Sequence, residues 1–256
     1  MRDLARVLAL ADTALRRGEY IDCVRMCHEA LTQTSDARLH RRLGLAAREL
    51  GWLEQALSAF DQVCQDDPDD LDARHQRMQL NASLGNHSAV LIDSDLLLEY
   101  HDGLDFQTMR GRACLDQGRF EDAARAFRSA GLAELEGEAL FRLACQQWEA
   151  GNYQQAWSNF DRAEPHIQDP RSLLTLYFQR QRIHARLGHL DSALADIGRA
   201  LAQAEVPHKL KVLLLCERAE LHSRLGEDEP ARAALEQARQ LDPDSPVVNA
   251  YQKGLR

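Results

Sequence analysis

Cys23, Cys27 and His28 are the closest grouping of metal-binding side chains in the chain. At i and i+4 the two sulfurs share one helix face. A tetrahedral site needs further Cys or His ligands nearby, and none recurs at a regular spacing. The six cysteines include no CxxC pair. Cys23 and Cys27 are therefore read as packing residues, and unpaired cysteines point to a reducing, cytoplasmic setting. His184 and His222 fall at equivalent places of two repeated segments and are also read as packing residues. The acidic runs Asp66-Asp67-Asp69-Asp70 and Glu227-Asp228-Glu229 lie at turn-like stretches and read as solvated. No G-x-S-x-G, H-E-x-x-H, Walker loop or dinucleotide fingerprint is present. No catalytic residue, metal ligand or cofactor is assigned, and an enzyme is not expected.

Arginine is the remaining chemistry. Lys209, Lys211 and Lys253 are the only lysines, so 28 of the 31 cationic residues are arginines. A GC-rich, bacterial genome explains that bias. Its physical consequence is that nearly every cation is a planar fork suited to carboxylates, phosphates and aromatic faces. The net charge of −9 argues against a nucleic-acid binder, which is ordinarily basic.

The elements that position these forks are repeated. In Leu43–Pro68, a helix over Leu39–Leu50 presents Leu43, Gly44, Ala47 and Leu50 on one side. Gly51 supplies the left-handed turn. A second helix, about Leu53 to Cys64, carries Ala56, Phe60 and Val63 on one face. Pro68 ends the unit. Turn glycines recur at Gly18, Gly51, Gly85, Gly118, Gly151, Gly188 and Gly226, spaced 33, 34, 33, 33, 37 and 38 residues apart. A small residue follows at Cys23, Ala56, Ala123, Ala156, Ala193 and Ala231. A large or apolar one follows four later at Cys27, Phe60, Phe127, Phe160, Ile197 and Leu235. The third unit fits least well, with Met78, His87, Val90, Ser94 and Leu97 off pattern.

This pattern resembles the tetratricopeptide repeat family: Leu43-Gly44 in the first helix, Gly151-Asn152-Tyr153 at a turn, Ala126 to Ala130 in a second helix, and Asp-Pro at 67–68 and 242–243. The resemblance implies an all-α fold, a right-handed superhelix (α-solenoid) of about seven helix-turn-helix repeats. The expected organisation is one solenoid over 1–256, with repeats near 4–36, 37–70, 71–103, 104–136, 137–173, 174–211 and 212–245. A capping helix over 246–254 would cover the last repeat with Val247, Val248 and Tyr251. Asp169-Pro170 and Val206-Pro207 start helices early, so the first helices of repeats 6 and 7 should be longer. Residues 1–17 read as the first helix and not as a signal peptide, and no apolar run is long enough to span a bilayer.

The resemblance also implies that first helices line a concave groove where ligands bind. The residues at those places are Arg38, Arg41, Arg42, His75, Gln79, Arg112, Phe141, Arg142, Trp148, Phe178, Arg182 and Arg186. Arginines beside aromatic rings suit an acidic, partly apolar segment of a partner protein. The function implied is a non-catalytic scaffold or adaptor, in keeping with assembly of a bacterial multiprotein complex. The alternatives are single-stranded nucleic acid, with bases stacked on Trp148 or Phe178, and a peptide-signal sensor. The Lys and Asn set of the family's two-carboxylate clamp is lacking: Arg41, Leu45 and Gln76 stand there. The apolar first helix, Leu4 to Leu15, offers a surface for self-association.

Overall fold

The computed structural model describes residues 2–254, with side chains for 3–253. The outermost ends of the expected 1–256 solenoid lie outside them. Every regular element among the described residues is helical. Contacts group the chain into two compact units, 1–132 and 133–256.

The first unit holds four helical hairpins. These are α1 (Arg2–Arg17) with α2 (Tyr20–Leu31), α3 (Ala37–Glu49) with α4 (Leu53–Asp66), α5 (Leu71–Ser83) with α6 (His87–Tyr100), and α7 (Leu104–Asp116) with α8 (Phe120–Ser129). The turn at Gly51 shows how a hairpin closes. Gly51 has φ of +75°. Its N–H donates to the Arg48 carbonyl at 3.0 Å, and the Trp52 N–H donates to the Ala47 carbonyl at 2.9 Å. These bonds satisfy carbonyls that a helix end otherwise leaves orphaned. All seven expected turn glycines have positive φ. Asp36 and Asp70 cap the following helices, accepting from the Arg38 and Ala73 amides.

Packing inside a hairpin depends on small residues facing rings. Phe60 and Phe127 are fully buried, each contributing ~1.5–3 kcal/mol of apolar burial. A Cβ on Gly44 would sit 2.8 Å from the Phe60 ring, and one on Gly111 2.5 Å from the Phe127 ring. Cys23 and Cys27 are fully buried with Leu8, Ala11, Leu39 and Leu43.

The second unit holds α9 (Ala133–Glu149) with α10 (Tyr153–Ala163), α11 (Pro170–Leu187) with α12 (Leu190–Leu201), α13 (His208–Arg224) with α14 (Asp228–Leu241), and a last helix, α15 (Pro246–Gly254). A short 3-10 turn, Glu164–His166, follows α10. Asp169 caps α11, accepting from the Ser172 amide at 2.8 Å, and Pro170 begins it. The first helices here have 17, 18 and 17 residues, against 13 in α3, α5 and α7. Sequence reading gave the extra length to repeats 6 and 7 only. Gly131, at φ +70°, accounts for the third long helix: it closes α8 after ten residues, so α9 starts at Ala133. Val248 and Tyr251 pack on Val212, Leu215, Cys216 and Ala238. Val247 stays exposed. Among the described residues no helix is long and apolar enough to cross a membrane.

Candidate binding site

In the first unit most of the candidate arginines are held by carboxylates. Arg38 folds back on the capping Asp36, with Nε at 3.0 Å and Nη2 at 2.8 Å. Arg41 pairs with Asp70, the cap of the next hairpin. Arg42 pairs with Asp12 of α1 at 2.7 Å and donates to the Arg38 carbonyl. His75 sits edge-on to Phe106 at 5.0 Å, and its Nε2 lies 3.0 Å from the Gln79 amide nitrogen. Arg112 is exposed and forms no ion pair among the described residues. Periodicity alone does not reveal these pairings: Arg41 and Arg42 reach carboxylates of adjacent hairpins, and Arg38 turns back on the cap of its own helix.

In the second unit Phe141 packs edge-on to the buried Phe160 at 5.7 Å. Arg142 pairs with Glu138 one helical turn away at 2.6 Å. The other four candidates converge. The Arg182 guanidinium lies 5.6 Å from the centre of the Trp148 ring and 5.5 Å from that of Phe178. The Arg186 guanidinium lies 5.5 Å from Trp148 and 5.0 Å from Tyr153, and it donates to the Tyr153 hydroxyl at 3.0 Å. Trp148 and Tyr153 are themselves in contact, with ring centres 5.0 Å apart. Both arginines are exposed, and neither forms an ion pair among the described residues. Ring faces hold the forks in place by cation–π attraction, and apart from the Arg186 bond to Tyr153 no side-chain hydrogen bond from either fork is made among the described residues.

Beside them a cleft of about 390 Å³ opens between α11, α13 and α15, lined by Gln181, Arg182, Arg186, Glu217, Glu220, Arg224 and Tyr251. Glu217 accepts a 2.6 Å bond from the Gln181 amide. Burial, with Glu220 adding to it, pushes the Glu217 carboxyl up to about 7 against the pull of Arg182. Burial and the two glutamates raise the Tyr251 phenol to about 12. Arg224 donates to the Ala185 carbonyl at 3.1 Å. Tyr153 and Tyr251 were not among the sequence candidates, whereas Glu217 and Glu220 stand at first-helix places of repeat 7 that the resemblance assigns to the groove. The repeat register offered a signal for Tyr153, which directly follows a turn.

Two buried ion pairs, one in each unit, also escaped sequence reading. Arg180 reaches Asp196 in bidentate fashion at 2.8 and 2.7 Å and Glu164 at 2.6 Å. Arg77 holds the buried Asp93 in the first unit. In both cases an aspartate directly precedes the place usually held by the second helix's large apolar residue, sixteen positions after the arginine. His184 is buried beside Trp157 and His189, and burial lowers its pKa. His222 instead pairs with Glu227 at 2.6 Å. Among the described residues there is no cluster of metal-ligating side chains. Burial raises the Cys145 and Cys216 thiols to about 11, which keeps them protonated and unreactive near neutrality.

The tetratricopeptide repeat family model matches residues 8–70 and 108–170. Among solved structures, a tetratricopeptide repeat protein from Parabacteroides merdae ATCC 43184 is similar at 18% identity, over 100% of this chain and 99% of that one, with a TM-score of 0.46. The C-terminal part of a TPR repeat-containing protein from Cytophaga hutchinsonii shares 13% identity over 95% of this chain and 98% of its own, with a TM-score of 0.44. MamA from AMB-1 shares 18% identity over 63% of this chain and 90% of its own, with a TM-score of 0.48. No match is found among curated proteins.

Proposed function

Because the chain belongs to the tetratricopeptide repeat family, whose fold is a protein-interaction scaffold, we propose that its second unit captures an acidic, partly apolar segment of a partner protein on the face shared by α9, α11 and α13. One observation carries the reading: Arg182 and Arg186 are fixed on aromatic rings, and neither forms an ion pair among the described residues. The second repeat's candidates Arg38, Arg41 and Arg42, which stand earlier on their first helix, are already paired. A ligand carboxylate would meet two forks one helical turn apart, and Trp148, Phe178 and Tyr251 would take its apolar side chains. Pre-positioned forks lose less rotamer freedom on binding than free ones. The protein then acts as a non-catalytic adaptor in assembling a bacterial, cytoplasmic multiprotein complex. Six unpaired thiols suit that reducing compartment.

The test is calorimetric titration with a synthetic peptide alternating glutamate with leucine and phenylalanine, and with its lysine counterpart. The glutamate peptide should bind, the lysine peptide should not, and Arg182→Ala with Arg186→Ala should weaken binding by about tenfold or more. Equal binding of both peptides, or unchanged binding by the folded double variant, rejects the site. Preference for a single-stranded oligonucleotide over the glutamate peptide would also reject it.

A further inference from the structure

The helix α6 departs from every other second helix in the chain. Its outer face carries Ile92, Leu96 and Tyr100 at i, i+4 and i+8, one stripe on a helix. Leu104, at the start of α7, follows closely. Ile92, Tyr100 and Leu104 are 61%, 60% and 62% exposed; with Ile21 they are the most exposed large apolar side chains among the described residues. The repeats provide an internal control. Seven residues after the turn glycine, where repeat 3 has Ile92, the other repeats have Arg25, Ser58, Arg125, Ser158, Ala195 and Ala233. Eleven residues after it, where repeat 3 has Leu96, they have Glu29, Gln62, Ser129, Arg162, Arg199 and Gln237. No other repeat has a large apolar residue at either place. The buried side of α6 is filled independently by Val90, Leu91 and Leu97, so hairpin packing does not require the outer stripe.

An acidic ridge runs beside the stripe. Asp95 and Glu99 lie on the same exposed side of α6, and Asp102 and Asp105 follow in the turn and in α7. Asp95 meets Arg110 of α7 at 2.9 Å; α6 itself carries no lysine or arginine. We propose that the outer face of α6 is a second docking surface, which takes an amphipathic helix of a partner protein with lysines or arginines flanking its apolar stripe. A helix of that kind can lay alternate turns on Ile92, Leu96 and Tyr100 while its cations meet Asp95 and Glu99. The acidic ridge also disfavours the same face of a second copy, whose like charges would be brought together. This surface lies within the first unit and is independent of the arginine site on the second.

The test uses the full chain and a synthetic amphipathic helix of leucine and lysine, with a second peptide in which glutamate replaces lysine. Binding is read by fluorescence anisotropy, and the mass of the protein alone by sedimentation. The lysine peptide should bind and the glutamate peptide should not. Ile92→Ser with Tyr100→Ser should cost about tenfold or more in affinity, and Asp95→Lys with Glu99→Lys should do the same. Arg182→Ala with Arg186→Ala should leave this affinity unchanged, which separates its failure from failure of the groove. Equal binding of both peptides, or indifference to Ile92→Ser with Tyr100→Ser, overturns the proposal. So does a dimer that those two serines dissolve, since the occupant would then be a second copy.

Discussion

The Arg186 guanidinium lies 5.0 Å from the centre of the Tyr153 ring and donates a 3.0 Å hydrogen bond to its hydroxyl. One residue begins the second helix of a hairpin and the other lies near the end of the next hairpin's first helix. The contact therefore fixes a cation at a seam between repeats without neutralising it. Tyr153→Phe keeps the ring and removes the hydroxyl. It should weaken glutamate-peptide binding less than Tyr153→Ala does, as titration of the two variants can establish. Equal losses would assign the positioning to the hydrogen bond alone.

Glu217 predicts a pH dependence. Its carboxyl titrates near 7 in the folded chain, above its ordinary 4.5. Between those values the native state holds more protons than the unfolded one, so this group's contribution to stability falls as pH rises from about 4.5 to 7. Denaturation midpoints of the wild type and Glu217→Gln should differ more in favour of the wild type near pH 5 than near pH 8. A constant offset would contradict the assignment. Because protonating Glu217 removes a negative charge beside Arg182, the glutamate peptide should also bind more tightly at the lower pH.

The buried pair of Arg180 and Asp196 predicts an asymmetric double-mutant cycle. Both side chains are almost fully buried. Asp196→Ala leaves the guanidinium with Glu164 as its main partner, and should cost about 3 kcal/mol or more in chemical denaturation. Replacing Arg180 by Met and Asp196 by Leu together should cost less than Asp196→Ala alone. A larger loss for the double variant would mean that the pair supplies net stability.

Overpacking tests the repeat register. Leucine at Gly44 or Gly111 meets the Phe60 or Phe127 ring at once, and each should destabilise by about 1–3 kcal/mol. Leucine at Ala123, fully buried on the facing helix, should act similarly. A thermal melt unmoved by all three would refute the packing described.

The fold was legible wherever backbone geometry restricts residue type. The seven turns need positive φ, which favours glycine, so their register stands in the sequence. Pro170 and Pro246 mark helix starts for a similar reason. Gly131 was missed because it closes a second helix, where the repeat carries no regular glycine. The candidate site was legible in residue type but not in state. A guanidinium at a first-helix position reads the same whether it meets Asp70, as Arg41 does, or rests on a ring, as Arg182 does. Tyr153 and Tyr251 read as packing residues, although both stand beside the free forks.

The most direct test follows the emission of Trp148 in a Trp52→Phe, Trp157→Phe background while the glutamate peptide is added. A saturable change is expected, with a midpoint that matches the calorimetric affinity, and Arg182→Ala with Arg186→Ala should abolish it. Tight binding of that peptide with the Trp148 emission unmoved would contradict the proposed site.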